Sequence, residues 1–146
     1  MARNVLGHAD ANSTEFNKDS KAPVVCLQEE QKHIENMGAT MRLGAYPAHI
    51  KTGTLCSKLY GGKEIISERH RHRYEFNNSF YAEFEKAGMR ATGVNPDTGL
   101  VEAVEVVDHP WYVSVQFHPE YKSTVKRPHP LFVSFVAAAI ANRKEK

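Results

Sequence analysis

Apolar positions along the chain fall into short alternating stretches more often than into long helical repeats. Pro23-Val24-Val25-Cys26-Leu27 is a brief continuous apolar run, the pattern of a buried strand with Cys26 in the core. Met41 to Ile50 and Glu64 to Glu68 read as extended, and Gly44 and Pro47 predict a bend or an edge position in the first of them. Between them, Leu55 to Tyr60 can form one helical turn. Asn77-Asn78-Ser79 suit a helix cap ahead of Phe80, Phe84 and Ala87 at helical spacing, with Gly88 as the stop. Met89 to Val94 and Leu100 to Val107 flank Asn95-Pro96-Asp97-Thr98-Gly99, whose proline and glycine occupy turn-forming places, so a β-hairpin is predicted. Trp111 to Phe117 is a further strand. Leu131 to Arg143 is the best helical pattern, with Phe132, Phe135, Val136 and Ile140 on one face. Ala2 to Gly7 reads as the last turns of a helix capped by a left-handed glycine, and Gln28 to Met37, polar and without an apolar stripe, as an exposed and mobile loop. Strands mixed with helices and a hairpin point to an α/β or α+β layer fold rather than a bundle or a sandwich.

Composition narrows the function classes. A length of 146 residues is one domain's worth, and 41% hydrophobic residues suffice for a core. Nineteen Lys and Arg against seventeen Asp and Glu leave +2, too even a balance to make nucleic acid or an anionic membrane the expected partner. No apolar run approaches the roughly 20 residues of a membrane helix, and the first residues lack a signal-peptide pattern. Cys26 and Cys56 are too few for a disulfide framework, which agrees with a reducing, cytoplasmic compartment. Eight histidines are the first hint of site chemistry.

The sharpest local constellation is Phe117-His118-Pro119-Glu120, where an apolar strand runs out. Pro119 keeps His118 out of the right-handed helical region, so imidazole and carboxylate leave the strand end in a fixed mutual geometry. A carboxylate on one ring nitrogen fixes the tautomer and leaves the other nitrogen to exchange a proton with a nucleophile. An ordinary surface His–Glu pair has the same spacing. The second constellation is Arg69-His70-Arg71-His72-Arg73-Tyr74. If extended, Arg69, Arg71 and Arg73 face one way, able to clamp a carboxylate or phosphate, and His70, His72 and Tyr74 the other. A solvated edge strand is the plainer alternative, and zinc on His70 and His72 lacks further ligands at the right spacing. Neither cysteine sits between the small residues that a nucleophile elbow needs, so both read as packing.

Phe117 to Glu120 resembles the His-x-Glu signature of the class I glutamine amidotransferases. Ala9 to Phe16, Thr40 to Ala45 and Glu68 to Asn77 narrow the resemblance to the glutaminase domain of the CTP synthases, over nearly the whole chain. The resemblance implies an incomplete flavodoxin-like α/β fold of the amidotransferase type, with a β-hairpin and a C-terminal helix. It implies that residues 1–146 are the C-terminal portion of such a domain. In that family the domain hydrolyses glutamine and passes ammonia to a synthetase domain that uses ATP, with Mg²⁺, to aminate UTP, a ligase reaction. By the same resemblance His118 is the acid–base partner of a cysteine, Glu120 orients it, Arg73 binds the carboxylate of glutamine and Glu15 its amino group. The family's Gly-x-Cys-x-Gly elbow has no counterpart here, and Ala39 stands where the family usually has a second glycine after Gly38. The implied partners are therefore glutamine and the upstream part of the same enzyme, with no cofactor or metal in this chain, no nucleic acid and no membrane. Lacking the thiolate, the chain alone is expected to be inactive. The alternative is a stand-alone, catalytically dead module that binds glutamine or pairs with an intact subunit.

Overall fold

The computed structural model describes residues 1–27 and 41–144. Among these residues two sheets carry the architecture. In the smaller, β1 (Asn12–Ser13) runs parallel to β2 (Pro23–Cys26), which pairs antiparallel with β5 (Glu75–Phe76). In the larger, all pairings are antiparallel and the order is β4 (Ile65–His72), β3 (Arg42–Ile50), β6 (Met89–Val94), β7 (Val101–Val106), β8 (Val113–Val115). Among the described residues three α-helices accompany them: α1 (Leu55–Leu59), α2 (Tyr81–Lys86) and α3 (Pro130–Lys144). Ala48, Ile50, Cys56, Ile66, Ala103, Phe117 and Leu131 form the core where the large sheet meets α1 and the start of α3.

Local chemistry explains most element boundaries. Thr54 caps α1 by accepting the Ser57 N–H, and Asn77 caps the 3₁₀ turn Asn78–Phe80 by accepting that of Ser79. Asn95 Oδ1 accepts the N–H groups of Asp97 and Thr98, and Gly99 closes the predicted hairpin at φ +69°. Gly7 takes its expected left-handed conformation, although residues 2–6 form hydrogen-bonded turns and not a regular helix.

Four expectations need correction. The strand read over Trp111 to Phe117 shrinks to Val113–Val115, because the Trp111 indole N–H turns away to donate to Ser134 Oγ on α3. Cys26 is half-buried and not core, since β2 lies in a sheet of very short strands. The face of α3 that carries Phe132, Phe135, Val136 and Ile140 is exposed, and Leu131 is the helix residue that enters the core. In β4, Arg69 and Arg71 point out and Glu68 and His70 in, as alternation requires, but the strand stops at His72, so Arg73 lies on the following turn and not on the arginine stripe. The loop expected over Gln28 to Met37 lies outside the described residues.

Candidate active site

His118 sits just past β8 with extended backbone (φ −107°, ψ 91°), anchored by its N–H donating to Arg69 O at 2.8 Å. Pro119 opens a 3₁₀ turn, Pro119–Lys122, that swings Glu120 back under the imidazole. His118 Nδ1 lies 2.7 Å from Glu120 Oε1. A carboxylate accepts, so Nδ1 carries the proton and Nε2 is the basic nitrogen of the neutral ring. The hydrogen bond from His118 holds the Glu120 carboxyl below its ordinary range. Tyr121 stacks on the imidazole with ring centroids 5.4 Å apart. The pair predicted from the sequence is thus assembled.

Glu15 and Arg73 meet in a concavity of about 550 Å³ that also takes in Arg71, His72 and Tyr74. Glu15 reaches it from the turn after β1, where its N–H donates to Ser13 Oγ, and Arg73 from the turn between β4 and β5. The lining of this hollow does not include His118 or Glu120. The connection runs through Arg71, whose Nη1 donates to Tyr121 OH at 3.5 Å, and so to the ring stacked on His118.

Beneath this surface lies a buried charge cluster that the sequence reading missed. Arg42 on β3 donates to Glu102 on β7 and faces Glu75 Oε2 at 3.5 Å. His70 Nδ1 meets Glu68 O at 3.0 Å and Nε2 meets Glu102 Oε2 at 2.8 Å. A carbonyl can only accept, and Glu102 is held ionised because the hydrogen bonds of His70 and Arg42 outweigh the effect of its burial. Both ring nitrogens of His70 are thus engaged by acceptors of the cluster. His72 Nδ1 faces Glu75 Oε1 at 3.4 Å. Burial, together with the charges of His70 and Arg42, pushes the His72 imidazole down to about 4, and burial pushes the Glu75 carboxyl up to about 7 against the pull of Arg42. The signal available in the sequence was Glu102 and Glu105 inside an apolar strand, since a carboxylate buried there requires a partner.

Cys56 does not belong to this site. Cys56 is fully buried in the core and burial pushes its thiol up to about 11. Among the described residues no three metal-ligating side chains converge, and no helix is long and apolar enough to cross a membrane.

Comparison with known proteins gives this geometry a family. Residues 5–138 match the family "Glutamine amidotransferase class-I". The chain belongs to that family. As a class I amidotransferase it has the α/β fold the sequence suggested, including the β-hairpin and the C-terminal helix. It is similar to the CTP synthase of Flavobacterium johnsoniae, 60% identical over 144 residues that make up 99% of this chain and 27% of that protein. The CTP synthase of Clostridium beijerinckii is 55% identical over 145 residues, again 99% of this chain and 27% of the relative. Among solved structures, the glutaminase domain of a Trypanosoma brucei CTP synthase with bound acivicin superposes with a TM-score of 0.88 at 41% identity. That match covers 96% of this chain and 54% of the other. This amidotransferase chain therefore spans about a quarter of the length of the curated relatives it matches.

Proposed function

We propose that the chain works as the C-terminal portion of the glutaminase domain of a CTP synthase, releasing ammonia from glutamine for the ATP-dependent amination of UTP to CTP. The observation that carries this reading is the convergence of Glu15 and Arg73 on one concavity. Glutamine presents an ammonium and a carboxylate at its α-carbon, so its recognition calls for one anionic and one cationic side chain at the same hollow. Arg73 takes the carboxylate and Glu15 the ammonium, which fixes the direction in which the carboxamide points.

His118 then performs the proton transfers for a cysteine thiolate supplied by the upstream half-domain. In acylation the thiolate attacks the carboxamide carbon, the C–N bond breaks, and the His118 imidazolium gives its proton to the departing ammonia. In deacylation Nε2 takes a proton from the water that cleaves the thioester. Glu120, bonded to Nδ1 at 2.7 Å, keeps the ring in the required tautomer and stabilises the imidazolium between these steps. ATP and Mg²⁺ belong to the synthetase portion of the enzyme. The 146 residues alone, without the thiolate, hydrolyse no glutamine.

The test is His118→Ala in the full-length polypeptide. Glutamine-supported CTP formation is expected to vanish while the ammonia-supported reaction continues, because ammonia bypasses the glutaminase step. Equal loss of both reactions would remove His118 from the role assigned to it. Peptide mapping of the endogenous protein supplies the companion measurement: a species several times heavier than 16.4 kDa fits the reading, and one at 16.4 kDa favours a stand-alone binding module.

A further inference from the structure

The turn that carries Glu120 rests on a second buried polar cluster, joined to the one beneath the concavity where His70 Nδ1 meets Glu68 O. Its hub is Glu68, on the inward side of β4 and buried. Glu68 Oε1 accepts from the Tyr60 hydroxyl, at the end of α1, at 3.3 Å. It also lies 3.2 Å from Nε2 of His129, just ahead of α3. The Leu131 N–H donates to His129 Nδ1 at 3.3 Å, so that nitrogen bears no proton, and Nε2 is the donor to Glu68. Tyr60 stays protonated as well, because burial and the neighbouring carboxylate push its phenol up. The carboxylate is thus fixed in orientation by two donors, one at the end of α1 and one just ahead of α3.

Glu68 Oε2 faces Lys122 Nζ at 3.6 Å, and the same ammonium donates to Ser67 O at 2.5 Å. At the other end of the turn, the His118 N–H donates to Arg69 O. Three consecutive residues of β4 therefore grip residues 118 and 122, the two flanks of the segment that contains Glu120. This grip answers a physical need. His118 and Glu120 are 36% and 54% exposed, so water competes for the hydrogen bond between them, and a loosely held turn would sample geometries in which the bond is broken. A buried carboxylate is costly to keep unless it is paired, and the Lys122 ammonium that faces this one belongs to the last residue of that turn.

We propose that Glu68 and Lys122 are positioning residues for the His118–Glu120 pair, tying the 119–122 turn to β4, with Tyr60 and His129 holding the Glu68 carboxylate in place. The inference rests on the role of His118 proposed above and adds two residues to it that touch no substrate. Lys122 is half-exposed, so its substitution tests the tether without opening the core. In the full-length polypeptide, Lys122→Met, which keeps the apolar stem and removes the ammonium, is expected to lower kcat for glutamine hydrolysis about tenfold, a misalignment effect. The glutamine KM and the ammonia-supported reaction should stay as in the parent. Lys122→Arg should restore most of the lost kcat, and Glu68→Gln should reproduce the Lys122→Met phenotype in a protein that melts cooperatively. A wild-type kcat for Lys122→Met, a failure of arginine to rescue, or equal loss of glutamine- and ammonia-supported activity would each overturn the tether. His118→Ala, measured alongside, separates the two levels. If it abolishes glutamine hydrolysis while Lys122→Met leaves kcat intact, the tether alone falls. If His118→Ala itself retains hydrolysis, the reading of the site falls and the tether with it.

Discussion

His72 lines the concavity and faces the buried Glu75, and burial moves their protons in opposite directions. Glu75 has an ordinary value of 4.5 and is pushed up to about 7 in the fold, so between those limits the native state holds the proton more tightly than the unfolded chain. Its contribution to stability is present at low pH and is lost as pH rises through that window. His72 behaves inversely. It ordinarily titrates at 6.5 and is pushed down to about 4, so unfolding takes up a proton between those values and its contribution grows as pH rises. The two slopes oppose each other from 4.5 to 6.5. Glu75→Gln removes one of them, and stability relative to the parent should climb across that range, by on the order of 2 kcal/mol. Urea unfolding at several pH values in the window checks this, and parallel pH curves for variant and parent would refute it. On the role proposed for Arg73, Arg73→Ala should raise the glutamine KM about 10- to 100-fold through loss of a charge-assisted contact. An unchanged KM would take Arg73 out of the site. At this scale the sequence made His118, Glu120 and Arg73 legible because local spacing or family resemblance marks them. It did not disclose the partners of Glu102 or Glu68, because Arg42, His70 and His129 are distant from them or on other elements and meet them only in the fold.

The hairpin of β6 and β7 was legible for a local reason: Asn95 and Gly99 define its turn with their own hydrogen bonds and backbone conformation. Its irregularity was not. The register slips around Gly93, and a Cβ built there would lie 3.1 Å from Ala103 Cβ and 3.2 Å from Ile50 Cδ1. Ala103 is held on the paired strand and is fully buried, so it cannot retreat. An alanine in a strand would ordinarily be tolerated or helpful, worth about 0.4–1 kcal/mol through the unfolded state. Here overpacking decides the sign, and Gly93→Ala should destabilise by about 1–3 kcal/mol. Thermal unfolding of the variant reads this as a lower Tm, and a raised Tm would mean that the bulge relaxes. The same distinction between local and distant causes explains the shortened β8 and the truncated arginine stripe. Periodicity marked Trp111 and Arg73 as extended, but a strand ends where its neighbour does. Ser134 on α3 draws the Trp111 side chain away, and the pairing of β4 with β3 ends where His72 meets Arg42.

Helix α3 poses the question of how the whole molecule is covered. Phe132, Val133, Phe135, Val136 and Ile140 are each 41–56% exposed, while Leu131 alone among its large apolar residues enters the core. A helix apolar on nearly every side belongs in an interior, and five such residues in nine positions are more than isolated surface hydrophobics. On the proposed function, the occupant of this face is the remainder of the glutaminase domain, consistent with this chain covering 54% of the Trypanosoma brucei domain it resembles. That reading predicts effects of opposite sign in two contexts. In the 146-residue chain, Phe135→Glu combined with Val136→Glu should reduce self-association and dye binding, since both side chains then face water. In the full-length polypeptide the same pair would bury two unpaired carboxylates, each costing at least about 1–3 kcal/mol, and should lower Tm and soluble yield. Sedimentation of the short chain and melting of the long one test the two arms. If the substitutions are harmless in both, the face is an ordinary surface; if they destabilise both, it packs within these 146 residues; only the crossed result assigns its cover to the rest of the enzyme.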